Sequence, residues 1–165
     1  LKTIMTFTPL IKGLITGATA IGFSLLAYNF IPVESKLHFL VYAIYALGII
    51  WTLTAYSNSQ AFTGKFGDSF NAGFRCFIVA TLLIVVYTFI FSKMHPEFAE
   101  ESAKLYNEQL LADKTSSKTP DDIIADTLRY KNGYTKVVVY GTIFGYLIIG
   151  AGITAFGSIL INKKK

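Results

Sequence analysis

Asp68, Asn71 and Arg75 stand at i, i+3 and i+7. If a helix begins by Asp68, that spacing puts them on one side of it. Arg75 is the one charge well inside an otherwise apolar run. Charge within hydrocarbon is expensive, so it pairs or faces a polar cavity. Two readings follow. Arg75 snorkels its head to the interface, or it contacts an anionic lipid headgroup through the two parallel hydrogen bonds its planar fork can make. Phe62, Phe66, Phe70 and Phe74 recur every four residues up to that arginine. They form either an interfacial turn anchored among headgroups or an aromatic wall for a lipid tail. Arg75, Asn71, Asp68, Phe66 and Phe70 are therefore the candidate ligand or lipid residues.

No other constellation points to catalysis. His38 and His95 are far apart in the chain, and both fall at the edges of apolar runs. HExxH, Gly-rich phosphate loops and nucleophile elbows are absent from the sequence. Cys76 is the single cysteine, so an intrachain disulfide is excluded and a cysteine-based metal site is not expected. It lies in an apolar run, where a thiol is ordinarily inert packing. Midplane carboxylates and proline-broken spans, the usual marks of a transporter, are also missing. The expectation is a protein that is not an enzyme, with no catalytic residues, no metal and no cofactor.

The elements that would position these residues follow from hydropathy. Of 165 residues 53% are hydrophobic, and mean hydropathy is +0.50. A soluble fold of this length has too little interior to hide so much apolar surface. A spanning helix needs about 20 mostly apolar residues. Four runs qualify, at residues 13–30, 37–56, 70–91 and 137–161. Backbone groups in hydrocarbon must pair within their own segment, which makes each run a helix. The first run has lysines before it and Ala18-Thr19-Ala20 within it, as a signal peptide would. Its apolar sequence continues to Phe30, well past such a cleavage site, so it reads as a span. The fold class is all-α: a polytopic membrane protein in one domain, with a polar helical excursion at 92–136 between the third and fourth spans.

Net charge is +5, but eight of the ten acids lie between Glu97 and Asp126 and three lysines close the chain. Such clustering speaks for membrane orientation, not nucleic-acid binding. Lys2, Lys12 and Lys163-Lys164-Lys165 favour cytoplasmic termini, with residues 92–136 outside. The seven Lys and Arg of that segment pull the other way. Within it, Met94, Phe98, Leu105, Leu110 and Leu111 suggest one helix stripe, and Ser116-Ser117 interrupt it. Thr119-Pro120-Asp121-Asp122 reads as a helix start and Asn132-Gly133 as a stop. The excursion is either a solvated helical hairpin or a docking surface over the bundle mouth.

Lipid gives helices no hydrophobic reason to associate, so small residues mark close contacts. Gly13, Gly17, Ala20, Ser24 and Ala27 form such a face on the first span. Gly141, Gly145, Ile148, Gly152 and Ala155 repeat its spacing on the fourth. The two faces are expected to pack on each other, the alternative being a homodimer seam. On the second span Tyr45, Gly48, Thr52 and Tyr56 share a face, and Trp51 with Tyr56 suits an interfacial aromatic belt.

Four segments carry a family likeness. They are LITGATAIGF in the first span, FGDSFNAGFR entering the third, HPEFAEES opening the excursion, and a Gly-rich last span ending in lysines. Over nearly its whole length the chain resembles a family of Bacteroidetes membrane proteins, domain of unknown function 4199. The resemblance implies an inner-membrane location and brings no catalytic residues. It also implies a loose association with polyprenyl-phosphate glycosyltransferases, and so with envelope glycan or lipid metabolism. The leading expectation is a non-enzymatic subunit or scaffold that binds a membrane-protein partner or a second copy of itself. The alternative is a protein that handles membrane lipid or polyprenyl phosphate, through Arg75 and the phenylalanine stripe. A lipid-modifying enzyme is the third, without visible catalytic groups.

Overall fold

The computed structural model describes residues 7–32, 35–112 and 119–163. Its elements are α1 (Pro9–Phe30), a 3-10 turn (Lys36–Phe39), α2 (Leu40–Ser57), α3 (Phe66–Met94), α4 (Glu97–Ala112) and α5 (Pro120–Asn162). Four helical segments, α1, α2 with its leading turn, α3 and α5, are long and apolar enough to cross a membrane. By its contacts the chain divides into two compact units. One holds the described residues of Leu1–Val85 and Ile143–Lys165, the other Val86–Thr142.

Local sequence sets the helix ends. Thr8 caps α1, its hydroxyl accepting from the Ile11 N–H, and Pro9 takes the first helical position. Ile31, extended because Pro32 follows, ends the helix. Before α3 the chain turns at Gly64, whose φ of 73° suits glycine. The Thr63 hydroxyl donates to the Asp68 carboxylate across this turn at 2.6 Å. Helix α3 therefore starts at Phe66, before the apolar run itself. Thr119 opens α5 as expected: its hydroxyl accepts from the Asp122 N–H at 3.3 Å, and Asp122 accepts from the Thr119 N–H at 3.0 Å.

The expected stop at Asn132-Gly133 does not occur. Helix α5 runs through it to Asn162, and Gly133 keeps a negative φ. A glycine ends a helix only by turning left-handed; inside one it costs about 1 kcal/mol. Here the neighbouring turns outweigh that cost, because α4 packs on one flank and an apolar run follows on the other. In the second unit α4 and the start of α5 are tied by Lys131 to Glu100 at 2.8 Å and by the stacked rings of Tyr106 and Tyr130, 4.6 Å apart. The inward residue of α4 is Ala103, while Met94, Leu105 and Leu111 are exposed. Of the expected apolar stripe Phe98 and Leu110 are half-buried and the other three residues exposed, so it is packed only in part; Ala103, Tyr106 and Asn107 share in the contact with α5. The Ser116-Ser117 interruption lies outside the described residues.

In the first unit α1 lays its small residues on two neighbours. A Cβ added at Gly13 would strike the Cys76 carbonyl oxygen, and one at Gly17 would come within 3.2 Å of the Ala80 Cα, both on α3. Thr16 of α1 fills the space over Gly48 of α2. Ala20 is fully buried and Ser24 half-buried. The partner of this face is therefore α2 and α3, not α5. Gly141, Gly145 and Gly152 were expected to meet it, yet a methyl group added at any of them would find nothing within 4 Å. Helix α5 packs instead through Tyr146, Gly150, Thr154, Gly157 and Ser158, with Gly150 against Phe77 and Gly157 against Leu53. That side also carries Thr154 and Ser158, whose hydroxyls are buried without a hydrogen-bond partner among the described residues; close packing, not hydrogen bonding, selects it. Tyr45 joins the three helices: its hydroxyl lies 2.8 Å from the Thr81 hydroxyl and donates to the Tyr146 carbonyl at 3.1 Å.

Candidate functional site

Helix α1 begins Pro9-Leu10-Ile11-Lys12-Gly13, and its inward face includes Lys12 as well as Gly13, Thr16 and Gly17. A lysine near the end of a span ordinarily extends its ammonium to the interface. Lys12 does not: its residue is 6% exposed. The glycine beside it lets α3 approach closely, and Lys12 is held against α2. Its ammonium stands 5.3 Å from the centre of the Trp51 ring, within cation–π range. Among the described residues no carboxylate lies within ion-pair distance of it.

Lys12 and Trp51 line a cavity of about 620 Å³. Phe7, Thr8 and Pro9 from the start of α1 wall one side, and Ala55, Tyr56, Asn58 and Ser59 from the end of α2 the other. Phe7 packs edge-on against Trp51 at 6.4 Å. Tyr56 is held in place by Phe62, 5.5 Å away, and by its hydroxyl donating to the Ala61 carbonyl at 3.2 Å. Among the described residues the cavity thus offers one cation, a few neutral polar groups and an aromatic-lined apolar wall, and no carboxylate lines it. Such a surface suits one negative group attached to an apolar body. No group of three metal-ligating side chains occurs among the described residues.

The residues singled out by spacing form a different, more open surface on α3. Phe66 and Phe70 stack at 5.8 Å, Phe70 and Phe74 at 6.5 Å, and Phe74 meets Phe77 edge-on at 5.2 Å. Phe66 and Phe74 are exposed. Asp68 is engaged with Thr63 at the start of the helix. Asn71 and Arg75 are exposed, and no hydrogen bond or ion pair joins Asp68, Asn71 and Arg75 among the described residues. The structure therefore does not assemble them into one site. Cys76 is buried, its thiol 3.7 Å from the Gly48 carbonyl.

Sequence reasoning missed the Lys12 cavity because the lysine was counted as a flanking charge. The signal was present in its position, one residue before Gly13 and four before Thr16, which places it on the small-residue face.

Four apolar spans, with only helical structure among the described residues, define an all-α polytopic membrane protein. The chain belongs to the family described as "Protein of unknown function (DUF4199)", which matches residues 11–163. Neither a curated protein nor a solved structure matches it.

Proposed function

We propose that this protein is a non-catalytic inner-membrane protein that binds an anionic amphiphile, its charged group at Lys12 and its apolar part along Trp51 and Phe7. The observation that carries this reading is a lysine only 6% exposed that lines a cavity and has no carboxylate partner among the described residues. Burying an unpaired charge is costly. The cation–π contact offsets about 0.5–2 kcal/mol of that cost, and a bound anion supplies the counter-charge. Trp51 is the only tryptophan in the chain, so its fluorescence reports on this cavity alone. Titration with oleate in a non-ionic detergent is expected to change that emission saturably. Oleyl alcohol should bind about tenfold more weakly, since a charged hydrogen bond contributes roughly 1.5–3 kcal/mol. Lys12→Met keeps the volume and removes an unpaired charge, so it should fold and lose the preference for oleate. Equal affinity for oleate and oleyl alcohol in wild type would refute the proposal.

The orientation that goes with it places the lysine-rich end in the cytoplasm. In a Cys76→Ser background, an impermeant maleimide on intact cells should label Lys104→Cys and spare Ser59→Cys, both exposed positions. The reverse pattern would invert the protein in the membrane.

A second reading, a scaffold for a membrane partner, is favoured by one observation. Gly145 and Gly152 have open space above them, beside the exposed Ile148 and Phe156 of α5. Small residues bordered by large apolar ones suit the approach of another helix.

A further inference from the structure

The second unit carries a groove of about 500 Å³ that the Lys12 cavity does not involve. Its floor is Gly133, where an added Cβ would meet nothing within 4 Å. Arg129 stands four residues before that glycine and Lys136 three after, so all three lie along one strip of α5. Among the described residues neither cation forms an ion pair, whereas nearby Lys131 is engaged with Glu100. Asp126, the one carboxylate lining the groove among the described residues, is itself engaged. Tyr106 and Tyr130, stacked with only 12° between their planes, wall one flank, and Tyr140 also lines the groove, farther along α5. Val137 and Tyr140 are exposed and open the apolar run of α5. The groove therefore combines two uncommitted cations, tyrosine hydroxyls and a bare helix backbone at the point where polar sequence gives way to apolar sequence.

We propose that this groove binds a phosphate ester, taken from the headgroup of an anionic phospholipid. Arg129 supplies a planar fork that matches two phosphate oxygens. Lys136 supplies a second, point-like positive charge. Gly133, retained inside a helix at a cost in helix stability, leaves room for the phosphate against the backbone. The exposed Val137 and Tyr140 continue into the run that faces acyl chains, which favours a lipid source over a soluble one. An aromatic belt of snorkelling side chains would use the same tyrosines and cations, but it has no need of the glycine.

The test is native mass spectrometry of the full chain in mild detergent with short-chain phosphatidylglycerol, in a Lys12→Met background so that the first cavity does not contribute. The parent protein is expected to retain the lipid. Arg129→Gln and Gly133→Leu should each reduce retention about tenfold. Lys104→Gln, an exposed charge outside the groove, should leave it unchanged. Leucine favours helix over glycine, so loss of binding in Gly133→Leu is not loss of fold; circular dichroism checks this. Retention by Gly133→Leu at the parent level overturns the proposal, as does an equal loss in Lys104→Gln. Glycerol 1-phosphate is titrated in parallel: if it is retained and phosphatidylglycerol is not, the lipid source is overturned.

Discussion

The first and last spans carry glycines at the same spacing and use them in opposite ways. On α1, Gly13 and Gly17 let α3 approach so closely that a single added methyl group would collide with its backbone at the first and with the Leu83 side chain at the second. On α5, Gly145 and Gly152 face open space, and the contacts are made by another side of the helix through Gly150 and Gly157. A small residue permits close approach but does not select a neighbour. What distinguishes the packed side of α5 is its fit: Phe77 seats against Gly150 and Leu53 against Gly157, beside the buried Thr154 and Ser158.

The largest expected effect breaks this comparison directly. Gly13→Ile must displace the backbone of α3 at Cys76, so it should lower stability in detergent by about 3 kcal/mol or prevent folding. Gly145→Ile should stay within about 0.5 kcal/mol of wild type, as surface changes do. Thermal unfolding of the two variants measures the difference. If Gly145→Ile is as damaging as Gly13→Ile, the exposed side of α5 is covered in the assembled protein. Loss of a co-purifying partner in Gly145→Ile, with stability intact, would identify that cover as the scaffold contact of the second reading.

A middle-sized effect sharpens the comparison from the packed side of α5. Tyr45→Phe removes the hydroxyl shared with Thr81 and the Tyr146 carbonyl. Interhelical hydrogen bonds in membrane proteins contribute about 0.6 kcal/mol on average, with a maximum near 1.7. A loss toward the upper end is expected, because two partners are left without it. An unchanged melting temperature would show that packing alone holds α5.

The smallest effect belongs to the second unit. Lys131 holds the Glu100 carboxyl below the usual glutamate range. The Glu97 carboxyl is lowered by its own backbone N–H and by His95, 2.6 Å away. A carboxyl depressed in the folded state contributes stability above its ordinary value and loses it as pH falls through the depressed one. Acidification from pH 5 to about 3 should therefore destabilise the α4–α5 hairpin slightly. Hydrogen exchange of α4 amides should show the change, and Glu100→Gln should reduce its size. Both glutamates are exposed, so added salt should weaken the effect further.

Much of the architecture follows from local pattern alone. Apolar length sets four spans, Thr119 with Pro120 and Asp122 sets the start of α5, and Pro32 ends α1. Each depends on residues adjacent in sequence or on the solvent the segment must meet, so each is legible without the fold. The stop read at Gly133 failed because a glycine's conformation is decided by what packs on either side. The triad of Asp68, Asn71 and Arg75 shared a helix face, yet Asp68 is taken by Thr63.

By itself the sequence determined that the chain is helical, spans a membrane four times, closes on three lysines and carries eight of its ten acids between Glu97 and Asp126. Only the tertiary structure decided which glycines are contacts, and that Lys12 lies on the inward face of α1 beside Trp51. The reason is physical. Hydropathy and capping are properties of a segment, whereas the burial of one lysine depends on how closely two other helices approach it.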